Sequence, residues 1–216
     1  MRLSVSMFAC PHHDFLHWKS VLTKKHIDSI HIDMMDGICV PLKGLTEQDV
    51  DVIYSLTNLP IVFHIMARDQ KSLLHYIWNL PKREGTMVIL TVEDFEKKSV
   101  IFLLEESKRH GLQVGVAIWP TTPTTDLLHF LQFIDAVLVM TTEPGQPNSV
   151  FIPASFDRVA AVKFLVGDGV DVLVDGSMNY ERIRKMESLG VSECVVGRSY
   201  FNNYERIQQK TFRMDD

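Results

Sequence analysis

Short apolar runs alternate with longer amphipathic stretches from one end of the chain to the other. Leu3 to Met7 reads as a first strand. Asp14 stands at an N-cap position ahead of Phe15, Trp18, Val21 and Leu22, which share one helical stripe and predict a helix to about Lys24. Ser29 to Asp33 is the second strand, followed by a loop from Met34 to Lys43 that contains Gly37 and Pro41. Thr46 with Asp49 opens a helix to about Leu56. Pro60 to His64 is the third strand, and a helix runs from about Gln70 to Leu80. Thr86 to Val92 is the fourth strand, and the helix from about Lys97 to His110 closes at Gly111.

The second half repeats the pattern. Gln113 to Ala117 is the fifth strand, and Pro120 and Pro123 precede a helix of about Asp126 to Phe133. Ala136 to Met140 is continuous and apolar, as a strand buried on both faces should be. After a long loop, Thr141 to Pro153, come a helix of about Ala154 to Leu165 and a seventh strand, Val170 to Val174. A helix from Tyr180 to Leu189 closes at Gly190, Glu193 to Val196 is the eighth strand, and a last helix covers about Asn203 to Phe212. Eight strand–helix units in sequence predict a parallel sheet closed into a (β/α)8 TIM barrel, one domain over residues 1–216. An open doubly wound sheet is the alternative, but neither G-x-G-x-x-G nor G-x-x-x-x-G-K-[ST] is present to make it a nucleotide-binding one.

Composition narrows the partners. The chain has 216 residues, 46% of them hydrophobic, and a net charge of -5, which argues against a general nucleic-acid binder and leaves room for a local cationic pocket. Cys10, Cys39 and Cys194 have no C-x-x-C spacing and an odd count, so no disulfide framework is implied. No apolar run reaches the roughly 18 residues of a membrane span. The opening MRLSVSMFACPHHD turns polar too soon for a signal peptide, and a cytoplasmic protein is expected.

The candidate chemistry clusters at strand ends, where barrels of this kind keep their sites. In His31-Ile32-Asp33-Met34-Met35-Asp36-Gly37, side-chain alternation points His31, Asp33 and Met35 to one face. His64 ends the third strand and Asp175 follows the seventh. Two histidines and two carboxylates suit one divalent transition metal such as Zn, Fe, Mn or Co. Asp33 and Asp175 sit on strands on different sides of a closed barrel, so they can reach opposite faces of a substrate across the mouth. One can remove a proton from carbon while the other delivers one, with a metal on the adjacent carbonyl oxygen stabilising the enediolate. Met35, Met66 and Met140 end strands two, three and six and suit a dry wall around such an intermediate, as well as ordinary core filling.

These residues carry a resemblance. From about Leu3 to Phe201 the chain resembles the ribulose-phosphate 3-epimerase family, including its D-allulose-6-phosphate 3-epimerase branch. The matching motifs are His31 to Gly37 followed by Val40-Pro41, His64-Ile65-Met66 and Pro120-Thr121-Thr122-Pro123. Val137 to Thr141 with Pro144-Gly145, Val174-Asp175-Gly176 and Gly197 to Phe201 complete the set. The resemblance implies a ribulose-phosphate-binding barrel with a metal held by His31, Asp33, His64 and Asp175, the two aspartates being the acid/base pair. It implies substrate contacts from Ser6 and His64, and phosphate contacts from Gly145, Gly176, Ser177, Gly197 and Arg198. It further implies a sugar-phosphate substrate, most simply D-ribulose 5-phosphate of the pentose phosphate pathway, and a homo-oligomer, dimer or hexamer.

Several positions depart from the family pattern. Val5 replaces a proline, Leu42 and Trp119 replace asparagines, and Thr91 replaces a histidine. In Pro144-Gly145-Gln146-Pro147-Asn148-Ser149-Val150-Phe151, Pro147 and Asn148 replace two glycines. Ser177 replaces a glycine, as in the allulose-phosphate branch, and Arg198 stands where a small residue is usual. The chemistry is untouched by these changes and the substrate walls are altered, so a six-carbon ketose 6-phosphate is the alternative substrate. A decarboxylase or Schiff-base aldolase would need a lysine beside the carboxylates, and none stands at a predicted strand end. A barrel that only binds sugar phosphate would need neither metal nor two carboxylates.

Overall fold

The computed structural model describes residues 1–19, 26–93, 95–146 and 149–202. Eight strands pair in parallel, each with its neighbours in sequence, and the eighth closes on the first. They are β1 (Arg2–Ser6), β2 (Ser29–Met35), β3 (Ile61–Met66), β4 (Met87–Thr91), β5 (Gln113–Ile118), β6 (Ala136–Met140), β7 (Asp171–Asp175) and β8 (Glu193–Val196). The α-helices among the described residues include α1 (Glu47–Leu56), α2 (Gln70–Asn79), α3 (Lys97–Arg109), α4 (Ser155–Val166) and α5 (Tyr180–Ser188). This is the (β/α)8 barrel that the alternation predicts, and none of these helices is long and apolar enough to cross a membrane.

Strand alternation divides the molecule into a shell and a lumen. Ile30, Ile32 and Met34 of β2, Ile61, Phe63 and Ile65 of β3, and Val172 and Val174 of β7 join the outer layer that packs against the helices. The intervening positions form the barrel interior, as in filled barrels generally. On the β3 to β7 side it is apolar: Val62, Met87, Ile89, Ala117, Ala136, Leu138, Met140 and Leu173 pack together. On the β1, β2 and β8 side it is polar. At the floor, Ser29 Oγ lies 2.8 Å from Ser4 Oγ and 2.7 Å from Glu193 Oε1, while Arg2 Nε donates to Glu193 at 2.9 Å and Arg2 Nη2 to Asp171 at 2.6 Å. The buried Ser4, Ser29 and Glu193 satisfy one another, as burial requires, while Arg2 and Asp171 remain partly exposed.

Three expectations change. β2 and β3 each run two residues further than the pattern suggested, because the ladder continues through Met34–Ile65 and Met35–Met66. His31, Asp33 and His64 therefore lie inside strands, not at their ends. The segment expected as a helix from Asp126 to Phe133 is a 3-10 helix, Thr124–His129; its anchors Leu127 and Phe130 are buried three residues apart, the period of that tighter turn. After β1 the chain makes short 3-10 turns at Met7–Ala9 and Pro11–His13. Asp14 Oδ1 accepts the His17 N–H at 3.1 Å, but most of the helix expected beyond it, and the one at Asn203 to Phe212, fall outside the described residues.

The loop after β2 returns onto the strand it left. Gly44 N–H donates to Met35 O at 2.9 Å and Leu45 N–H to Asp33 O at 3.0 Å. Thr46 and Asp49 then form the reciprocal capping box that starts α1. A Cβ at position 44 would sit 2.3 Å from Asp33 O and 2.4 Å from Met35 N, so the backbone crossing demands glycine. Gly44→Ala should push the middle of β2 inward and cost about 2–3 kcal/mol, measured as a lower urea midpoint with unchanged slope; an unchanged midpoint would mean the loop moves freely over β2.

Candidate active site at the barrel mouth

Strand register assembles the site. Ser6 is level with His31, Asp33 with His64, Met35 with Met66, and Met140 with Asp175. The ligating atoms of His31, Asp33, His64 and Asp175 all lie within 4.8 Å of one another. Asp33 is the hub. Its Oδ2 accepts from Ser6 Oγ at 3.0 Å, and its Oδ1 lies 3.2 Å from His31 Nε2 and 3.3 Å from His64 Nδ1. Only the His31 contact is aligned as a hydrogen bond; both His64 ring nitrogens are buried and unpaired within the protein. Buried, unpaired imidazole nitrogens facing two carboxylates fit the donor set of a divalent metal.

The electrostatics separate the two carboxyl groups. Burial alone would raise the Asp33 pKa, but His31 and His64 override it and hold the group well below the usual carboxylate range. Burial also opposes charge on His31, and the Asp33 carboxylate outweighs it, lifting the imidazole to about 9. Burial raises Asp175 and the Asp33 charge raises it further, to about 7. Burial keeps His64 below its ordinary value. One carboxylate is thus held ionised and the other near neutrality holds its proton, which is how a pair divides acid and base roles.

Asp175 is positioned by residues that the sequence reading missed. Thr141 N–H donates to Asp175 O at 2.7 Å, and Thr141 Oγ1 reaches Asp175 O at 2.9 Å and Gly176 O at 2.7 Å. The turn after β7 follows from glycine chemistry: Gly176 has φ +125°, and a Cβ there would lie 2.6 Å from Thr142 Oγ1. Ser177 continues it at φ +51° and donates through Oγ to Ser149 O at 2.7 Å, joining the loops after β6 and β7.

Above the cluster opens a cavity of about 600 Å³. Asp33 and Asp175 are at its base with Ser6, Met35, Met66 and Met140. Gly145, Gly176, Ser177, Gly197 and Arg198 line it as well, so these expected substrate-side residues share one space. His31 and His64 are fully buried beneath it and are not on its walls. No lysine lines it. Trp119 is not on its surface either; the indole packs behind, against the clusters that contain Met35 and Met66 on one side and Met140 on the other. Its peptide is clamped: Glu93 Oε1 accepts the Trp119 N–H at 2.8 Å and Arg158 Nη2 donates to its carbonyl at 2.8 Å. Arg182 lines the cavity too, and no short motif marks it.

An eight-stranded parallel barrel with two histidines and two carboxylates gathered under an open cavity has the donor set of a divalent-metal site. The Ribulose-phosphate 3 epimerase family profile matches residues 3–201, and the chain belongs to that family. Among similar proteins is the ribulose-phosphate 3-epimerase of Bacillus subtilis (strain 168), 28% identical over 183 residues, covering 83% of this chain and 82% of the relative. That of Mycobacterium tuberculosis (strain ATCC 25618 / H37Rv) is 27% identical over 177 residues, covering 81% of this chain and 75% of the relative. In architecture the chain is similar to a mutant tryptophan synthase alpha-subunit of Pyrococcus furiosus, with TM-score 0.68 and 12% identity over 98% of this chain and 92% of the other, a likeness of fold alone.

The site makes stability depend on pH and on metal. Without metal, folded Asp175 keeps its proton to about pH 7 while an ordinary aspartate releases it near 3.8, so its stabilising contribution is lost as pH rises between those values. The His31 contribution, complete below about 6.5, is lost as pH rises through about 9. Asp33 contributes the opposite way, its stabilisation disappearing only on acidification below 3.8. Chelator-treated protein should therefore melt at progressively lower temperature from about pH 5 to about pH 9. Added Zn²⁺ or Mn²⁺ should raise the melting temperature more at the alkaline end, because cation and proton compete for the same atoms. Identical melting curves with and without cation at every pH would contradict a metal site here.

Proposed function

We propose that the protein is a divalent-metal-dependent ketose-phosphate 3-epimerase that interconverts D-ribulose 5-phosphate and D-xylulose 5-phosphate. The observation that carries this reading is the convergence of two buried carboxyl groups, Asp33 on β2 and Asp175 on β7, at the base of one cavity with His31 and His64 beneath it. Asp33 and Asp175 lie at the base of that cavity, and among the described residues Arg182 and Arg198 are the cations on its walls, with Glu143 on the loop after β6. A ligand with an oxygen-rich reactive end and an anionic tail fits that arrangement.

Asp33, ionised, accepts the proton from C3 on one face, and the electron pair of the C–H bond becomes the C2–C3 double bond of an enediolate. Asp175 gives its proton to C3 from the other face as that double bond collapses, and C3 is inverted. In the reverse direction the roles exchange. A divalent cation held by His31, Asp33, His64 and Asp175 supplies the Lewis-acid charge that makes C3 acidic enough for a carboxylate base. Ser6 holds the Asp33 carboxylate in place, and Met35, Met66 and Met140 keep water from the reacting carbon. Gly176, Ser177, Gly197 and Arg198 hold the phosphate.

The reading is tested by deuterium exchange at C3, followed by NMR in D₂O with the metal-loaded protein. D-ribulose 5-phosphate should exchange and invert, and D-allulose 6-phosphate should do so more slowly. Asp33→Asn and Asp175→Asn should each lower the rate about 10²–10⁴-fold. Faster turnover of the hexulose phosphate would transfer the assignment to the six-carbon substrate, which the Ser177 resemblance makes the second reading. Binding of either sugar without exchange would identify a non-catalytic barrel.

A further inference from the structure

The charged residues Arg2, Glu93, Arg158, Asp171 and Glu193 do not line the cavity. Arg2, Asp171 and Glu193 satisfy each other at the floor, and Glu93 with Arg158 clamps the peptide of Trp119. Arg182 is different. It is half-buried on the cavity wall, and among the described residues no carboxylate pairs with it.

Its placement is determined by local structure. Arg182 is the third residue of α5, and its N–H donates to the capping Asn179 side chain at 3.0 Å. A side chain in the first turn of a helix leans back toward the N-terminus, here over the turn from Asp175 to Asn179. The guanidinium then meets two fixed groups. Nη1 donates to the Ser177 carbonyl, whose direction is set by the left-handed conformation of that residue. The guanidinium carbon lies 4.5 Å from the centroid of the Phe151 ring. These contacts use one of five N–H groups and place an aromatic ring against the guanidinium, leaving its other edges for the cavity that the residue lines.

We propose that Arg182 is a specificity-determining residue, which takes the dianionic phosphate of the substrate through its guanidinium and makes the enzyme prefer phosphorylated over free ketoses. The proposal rests on the sugar-phosphate reading above and adds to it a side chain outside the motifs that carry the resemblance. An arginine whose plane is already fixed loses little freedom on binding, and its fork matches phosphate oxygens in a way that lysine cannot. The Ser177 turn and Phe151 act as positioning groups, the former tied by its hydroxyl to Ser149.

The test uses the whole metal-loaded protein and three variants, Arg182→Gln, Arg182→Lys and, as control, Arg184→Gln, an exposed residue of the same helix that faces Glu187 at 3.7 Å. Two quantities are read. The first is the dissociation constant of inorganic phosphate by calorimetry at low and moderate salt. The second is the ratio of kcat/KM for C3 exchange in D-ribulose 5-phosphate to that in D-ribulose. Arg182→Gln should weaken phosphate binding and lower the selectivity ratio, each about 10- to 100-fold, mainly through KM for the phosphorylated sugar. Arg182→Lys should fall between it and the wild type, with Arg184→Gln unchanged. An unchanged phosphate constant in Arg182→Gln, or no phosphate binding by the wild type, overturns the proposal. So does an equal loss of kcat with both sugars alongside a lowered melting temperature, which would make Arg182 a brace for the Ser177 turn. If phosphate binding responds as expected but no ketose phosphate exchanges in the wild type, the epimerase reading fails and the Arg182 assignment stands.

Discussion

A single buried carboxylate sets the terms for the rest of this molecule. Asp33 lies among Ser6, His31 and His64, and its negative charge is held in a place where an isolated carboxylate would be protonated. Everything nearby answers to that charge. It lifts His31, and it makes a second ionised carboxylate 4.8 Å or less away costly, so that Asp175 keeps its proton to about pH 7. The same arrangement that is electrostatically strained in isolation becomes favourable when a divalent cation joins it, because the cation replaces protons as the source of positive charge.

The barrel provides the rigidity this requires. Parallel pairing places Ser6, His31, Asp33, His64 and Asp175 on adjacent or nearby strands whose register is specified by their buried outer faces. Inside, the lumen is polar toward β1, β2 and β8 and apolar toward β3 to β7. Trp119, its peptide clamped by Glu93 and Arg158, packs against the clusters that contain Met35, Met66 and Met140 of the cavity lining.

The opposite wall shows a different solution. The loops after β6 and β7 are joined by Ser177 to Ser149 and by Arg182 to Phe151. Membership of the ribulose-phosphate 3-epimerase family accounts for the motif residues at the base of the cavity. Higher on the wall this chain carries two arginines, Arg182 and Arg198, beside the turns after β7 and β8.

By itself, the sequence determined the eightfold alternation, the strand faces and the four residues of the candidate metal site, because strand period and apolar runs are local properties that survive without tertiary context. Ala136–Met140 and Glu193–Val196 are strands with the limits that their patterns predict. Local pattern failed where pairing partners decide the outcome. Met34 and Met35 read as loop, yet the neighbouring strand and the returning Gly44 backbone keep them in the sheet. A six-residue 3-10 helix, Thr124–His129, stands where a longer helix was expected, with Leu127 and the following Phe130 buried. Only the tertiary structure placed Thr141 on the carbonyl of Asp175, Trp119 behind the methionines and Arg182 on the cavity wall. Those positions depend on contacts between residues far apart in the chain, or on the handedness of a single turn, and no spacing along the chain records either.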